Sequence, residues 1–239
     1  MKARIPITIF SAALMFFAGY AALFIAPDER TMHEIQRIFY FHLGCWTAMF
    51  IALTFAFAAN IGWLVTREPP WDWLGVSSVE VGVVACTAGL ITGMLWGKPA
   101  WGIWWTWDAR LTTCFILWLL YLSYLILRGL IEEPARRATL SAVFGIFAFL
   151  DVPLVYAANR LWRGQHPDPV LLGAPGSGLD ATMLKALMFS MSAMILLMLI
   201  ILADRYRLER LRNELEELRV AAETRGASTG SALAPAARN

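Results

Sequence analysis

Six stretches of this chain are apolar for about 20 residues, the length a helix needs to cross a hydrocarbon core. They fall at roughly 5–26, 41–65, 75–95, 112–131, 139–157 and 183–203. No other feature constrains the fold as strongly, because a backbone inside lipid has no water to bond and must satisfy its own N–H and C=O groups, as a helix does. The expected fold class is an all-α integral membrane protein with six transmembrane helices. Composition agrees: 59% hydrophobic and 16% charged residues exclude an ordinary soluble globular domain. The first stretch is too long for a cleavable signal peptide and lacks an early A-x-A-like site.

Lys and Arg placement sets the expected orientation. With the N-terminus inside, thirteen fall on inner segments, among them Lys2, Arg4, Arg136, Arg137 and seven in the tail, against seven on outer segments. Both termini are therefore read as cytoplasmic. A six-span domain occupies residues 1–204, a charged amphipathic helix 205–225, and a Gly-, Ser- and Ala-rich tail 226–239 is read as disordered. Leu208, Leu211, Leu215 and Leu218 give the helix two heptads of apolar stripe. Pro27 to Tyr40 reads as a short interfacial helix leading into span 2, and 66–74 as a short loop with Pro69-Pro70 breaking the helix. Of the ionisable residues within spans, Glu80 lies near the inner interface and is read as hydrated. Asp151, two residues before Pro153, marks a kink that could line a polar route. Cys45, Cys86 and Cys114 lie in apolar spans as small buried hydrophobes, and without a C-x-x-C-H the chain is not itself a c-type cytochrome. The net charge of +2 points to no nucleic-acid partner.

The informative connection is WGKPAWGIWWTWDARLT, from Trp96 to Thr112. It holds five tryptophans, Trp96, Trp101, Trp104, Trp105 and Trp107, within twelve residues, and runs into Asp108 and Arg110. An interfacial belt needs one or two indoles per helix end. Five packed together read as a sheet of rigid aromatic faces suited to a flat, apolar, π-rich ligand, with Arg110 placed to meet its anionic groups. Asp108 reads as a partner that fixes Arg110 or an indole N–H. Lys98, Arg160 and Arg163 are further outer cations, either an anion-binding rim or snorkelling side chains. All three histidines, His33, His42 and His166, fall on outer segments with the tryptophans. Each alone reads as a solvated loop residue. Two converging on one aromatic face are a standard way to hold haem iron.

The Trp-rich stretch resembles the WGxxWxWDxRLT signature of a haem-handling family, matched by Trp101, Gly102, Trp104, Trp105, Trp107, Asp108, Arg110, Leu111 and Thr112. In length and span count the chain is similar to the cytochrome c maturation protein C (CcmC) family, also called haem exporter protein C, over about residues 28–205. The resemblance implies that His42 and His166 are axial ligands of a transient, non-covalent haem b. It also implies that Arg37, in an R-I-x-Y-x-H pattern, meets a propionate. Where the family has Val-Pro after the first histidine, this chain has Leu43-Gly44. His33 matches no position of the pattern and reads as structural or solvated.

The implied function is haem binding by functional loops on the periplasmic face of the bacterial inner membrane, followed by delivery to the haem chaperone CcmE. The implied company is the ABC transporter subunits CcmA and CcmB, the small membrane protein CcmD and lipid. No catalytic residue is expected. A b-type cytochrome or redox protein is the alternative, and it normally wants histidines within the spans; a haem-transport permease subunit is another. The topology is directly testable: a compartment reporter fused after Gly176 should read outside and one after Ala222 inside. The same compartment from both would refute the six-span arrangement.

Overall fold

A computed structural model describes residues 4–162, 164, 166 and 179–232, with side chains described between Ile5 and Thr224. Helix α1 (Arg4–Tyr20) runs into a π-helical turn at Ala21–Ile25, and a 3-10 turn at Glu34–Arg37 feeds α2 (Ile38–Thr66). Then follow α3 (Pro69–Trp101), α4 (Ala109–Gly129), α5 (Pro134–Phe149), α6 (Asp151–Leu161) and α7 (Ala181–Ala232). Six segments are long and apolar enough to cross a membrane, α5 and α6 together forming the fifth. The chain is thus an all-α, multi-pass membrane protein. Large apolar side chains such as Phe16, Val65, Val84 and Phe147 point outward, where lipid tails, not water, solvate them.

Several boundaries differ from the sequence expectation, each for a local reason. Pro69 and Pro70 do not break a helix; they begin one, since the first-turn N–H groups they lack would have no partner there. The preceding helix ends instead at Arg67, whose left-handed φ of 62° returns its N–H to Trp63 O at 2.8 Å. The loop expected over 66–74 therefore shrinks to Arg67 and Glu68. Pro27 to Tyr40 is not a separate interfacial helix: its 3-10 turn continues into α2, with Gln36, Phe39 and Tyr40 buried. Pro153 has no N–H to give Phe149 O, and the fifth span is interrupted at Leu150, as the kink reading requires. Helix α7 runs without interruption for 52 residues, about 78 Å, so the charged segment 205–225 is its direct extension. The tail is helical through Ala232, and 233–239 lie outside the described residues. Leu208, Leu211, Leu215 and Leu218 are exposed on that extension.

The bundle is built around α2 and the glycine-bearing face of α3. A Cβ on Gly82 would come within 2.6 Å of Leu53 Cδ2, one on Gly89 within 2.9 Å of Trp46 Cε2, and one on Gly93 within 3.1 Å of His42 Cε1. Small residues let two helices close to contact distance in lipid, where no hydrophobic force between them is available. Behind this seam Met49, Leu53, Cys86, Leu117, Tyr121 and Val155 join α2, α3, α4 and α6 in one core. All three cysteines are buried and unpaired.

Charges tie the end of the bundle opposite the Trp-rich connection. Asp72, in the first turn of α3, takes a two-pronged bond from Arg128 of α4, at 2.6 and 2.9 Å. Glu80, expected to be hydrated, is paired with Arg205 of α7 at 2.6 Å. Asp72→Ala would strand the buried Arg128 guanidinium and should cost about 3–5 kcal/mol of stability, read as thermal unfolding in detergent. Pairing that change with Arg128→Met should recover most of the loss. A single variant as stable as the parent would show that the ion pair holds nothing.

Candidate functional site

The site lies where the α3–α4 connection folds over the start of α2. Helix α3 carries Trp96 and Trp101 and stops because Gly102 adopts φ +78°, its N–H bonded to Lys98 O at 3.0 Å. Lys98 Nζ donates back to Gly102 O at 2.9 Å, so this cation seals a helix end. Residues Gly102–Asp108 form the connection. Asp108 restarts the chain as the N-cap of α4, accepting the Leu111 N–H at 2.8 Å through Oδ1.

The second oxygen of Asp108 reaches the site. Oδ2 accepts the Thr106 hydroxyl at 3.0 Å and lies 3.2 Å from His166 Nδ1. Asp108, expected to fix Arg110 or an indole, instead holds a histidine brought from 58 residues away in sequence. A carboxylate only accepts, so the His166 proton sits on Nδ1 and the lone pair on Nε2. Burial pushes the His166 pKa down further than Asp108 pushes it up, and Arg110 adds to the lowering, so the ring is neutral at pH 7. Burial alone would raise Asp108. The Leu111 amide, His166 and the Thr106 hydroxyl outweigh it and hold the carboxyl below its usual range.

His42 is fixed from both sides by residues the sequence reading did not single out. Its Nδ1 is 3.0 Å from Thr92 Oγ1, and the Trp46 indole donates to its Nε2 at 3.1 Å. The Thr92 hydroxyl gives its own proton to Ala88 O at 2.8 Å, so it accepts from His42 Nδ1–H. The His42 lone pair is therefore also on Nε2. Trp46 could have been found from its i+4 spacing to His42 on one helix face. Thr92 offers no such signal, since it lies on another helix. His42, His166 and Arg110 lie within electrostatic range of one another. His33 is exposed at the turn before α2, at φ 50° and with its N–H on Glu29 O, as befits a structural residue.

The five tryptophans do not form one flat sheet. Trp96 is buried, packed edge-to-face on His42 with ring centroids 5.6 Å apart. Trp101 meets His166 in the same manner at 5.0 Å. Trp105 and Trp107 pack edge-to-face with each other and with Phe115, which stacks on Trp118. Trp104 and Trp107 are 55% and 71% exposed. The physical reason is aromatic geometry: the ring quadrupole favours edge-to-face contact over a coplanar array. Two spaces result. A cleft lined by Trp101, Trp104, Trp105 and His166 has a cavity of about 10 Å³, against roughly 300–1,000 Å³ for a ligand pocket. A wholly apolar groove of about 360 Å³ lies between α3 and α4, lined by Leu90, Met94, Trp105, Trp107 and Trp118 among others.

The remaining cations divide. Arg110 Nη1 is buried without a hydrogen-bond partner among the described residues, as are the indole N–H groups of Trp96 and Trp105. Arg37 turns its guanidinium to Asp28 Oδ1 at 3.0 Å and to Leu23 O, which ties it to the α1–α2 connection. Arg160 lies over the Tyr156 ring at 5.3 Å. Arg163 lies outside the described residues. Two imidazoles with their lone pairs on Nε2, that of His42 accepting the Trp46 N–H, together with edge-on indoles and buried N–H donors that have no partner among the described residues, make a donor set that fits an iron porphyrin with carboxylates. The cleft among the described residues is smaller than such a ligand.

Residues 1–221 match the family described as Heme exporter protein C. The chain belongs to this family. Among its relatives, the Heme exporter protein C of Paracoccus denitrificans is 31% identical over 220 residues, covering 90% of each chain. That of Bradyrhizobium diazoefficiens is 29% identical over 222 residues, covering 92% of this chain and 84% of the relative. A mitochondrial ccmC-like protein of Marchantia polymorpha, named for cytochrome c biosynthesis, is 27% identical over 172 residues, 72% of each. Membership in the haem exporter protein C family supports a role in haem handling for cytochrome c maturation.

The Asp108–His166 contact can be tested without any ligand. The carboxylate raises the His166 pKa and burial lowers it. Asp108→Asn should therefore drop the pKa further while an amide oxygen keeps the helix cap. Arg110→Gln should raise it. The check is the NMR titration of labelled histidine, in which opposite signs would refute the assignment.

Proposed function

We propose that this protein binds haem b non-covalently and transiently between His42 and His166, and delivers it to the periplasmic chaperone CcmE during c-type cytochrome biogenesis. The observation that carries this reading is the matched state of the two rings. Each has its Nδ1 held by an oxygen, from Thr92 or Asp108, which fixes the lone pair on Nε2, the form in which imidazole ligates iron. Arg110 Nη1 and the Trp96 and Trp105 N–H groups, without a partner among the described residues, are donors for the propionates. Trp101, Trp104, Trp105 and Trp107 supply apolar ring surface. Arg37 joins them only by leaving Asp28.

The site faces the periplasm in this reading, with both termini in the cytoplasm of a bacterial inner-membrane protein. CcmA, CcmB and CcmD are its partners in the membrane. No bond of the haem is made or broken by this chain's side chains; they ligate, orient and shield the iron. His42 lies in the first turns of α2 and His166 beyond the end of α6, whereas a b-type cytochrome normally holds haem between helices at depth.

Purified protein loaded with haem should show a low-spin, six-coordinate spectrum. His42→Ala and His166→Ala should each lose most of the haem and shift the remainder to high spin, because one axial ligand is gone. Unchanged content and spectrum in both variants would reject the axial-ligand assignment.

A further inference from the structure

We propose that Trp46 is a releasable cap on the iron-binding nitrogen of His42, keeping this ligand in reserve until haem has been caught by His166. The inference rests on the axial-ligand reading above and adds to it an order of events and a residue that sets it.

Three observations carry it. The first is the bond itself, from Trp46 Nε1 to His42 Nε2 at 3.1 Å. An indole N–H can only donate, and the Thr92 contact leaves the His42 lone pair on Nε2. The cap thus covers the electron pair that iron needs. The second is that Trp46 is held where it is. It is buried, one helical turn below His42, and lies against Gly89 so closely that a Cβ there would come within 2.9 Å of Cε2. The third is the asymmetry of the pair. At His166 the corresponding Nε2 carries no hydrogen bond from a described residue, while Nδ1 is held by a carboxylate.

The physical consequence is a two-step capture. Iron first finds His166, whose Nε2 takes no hydrogen bond from a described residue, giving a five-coordinate state. The sixth bond forms only when His42 Nε2 leaves the indole, so ligation competes with an existing hydrogen bond. Reversal is eased by the same contact: when iron departs, the Trp46 N–H satisfies the lone pair again, and the buried nitrogen is not left unpaired. A ligand held this way binds haem less tightly than a free imidazole would, which suits a protein that must give its cargo up.

Trp46→Phe keeps an aromatic ring on Gly89 and removes the N–H. Mixing ferric haem b with the full-length protein in nanodiscs should show, by rapid-scan absorbance, a high-spin species turning low-spin. In Trp46→Phe that second step should be faster, and equilibrium haem affinity should rise roughly two- to tenfold, the net worth of one neutral hydrogen bond. In the haem-free protein, carbethoxylation of His42 by diethylpyrocarbonate, read by mass spectrometry, should also quicken. A second step and an affinity unchanged or reduced in Trp46→Phe, with His42→Ala still abolishing the low-spin state, would overturn the cap and leave His42 as a ligand. A low-spin state that survives His42→Ala would overturn both.

Discussion

The approach of α2 to α3 over a glycine face is the constraint on which the rest of this molecule depends. Between helices in lipid, dispersion contact and hydrogen bonds must supply the association that water supplies elsewhere. Gly89, Gly93 and Gly97 recur every fourth residue, which places them on one side of α3. Trp46 packs on the first, His42 on the second and Trp101 on the third. The same seam that holds the bundle therefore sets the height and tilt of one imidazole and one indole, while Trp101 packs back on its own helix. A single added methyl at Gly89 would meet Trp46 at 2.9 Å, and through Trp46 would displace His42.

Asp108 does for the second histidine what the seam does for the first. One carboxylate oxygen starts α4 and the other aligns His166, so helix geometry and ligand orientation share one residue. The arrangement is economical because a helix N-terminus already favours a negative charge, and the same charge keeps the imidazole proton on Nδ1. The five tryptophans do different work according to depth. Trp96 is a packed wall behind His42, Trp101 an edge against His166, and Trp105 and Trp107 border an apolar groove open between α3 and α4. Buried N–H groups at Trp96, Trp105 and Arg110, unpaired among the described residues, are costly on their own. They are the groups that a ligand with carboxylates would satisfy.

The two ends of the bundle are built on opposite plans. Away from the site, Asp72–Arg128 joins α3 to α4 and Glu80–Arg205 joins α3 to the long α7. Connections there are short, with only Arg67 and Glu68 between α2 and α3. At the site end a seven-residue connection, Gly102–Asp108, covers a cleft of about 10 Å³.

Six apolar runs determined six spans, since the length and polarity of each run suffice to choose a helix in lipid. The residue types at the site were legible too: His42, His166, Arg110, Asp108 and the tryptophans meet at one end of the bundle, because alternating spans return these segments to the same side. Local sequence did not decide which partner each residue would take. Asp108 goes to His166 and not to Arg110, Glu80 to Arg205, and Arg37 to Asp28. The tryptophans separate instead of lying flat. Thr92 and Trp46, which hold His42, carried no motif. Span count follows from a backbone's need to bond itself within one segment. Partner choice depends on which side chains two helices bring within 3 Å, and only the packing of α3 against α2 and α4 decides that.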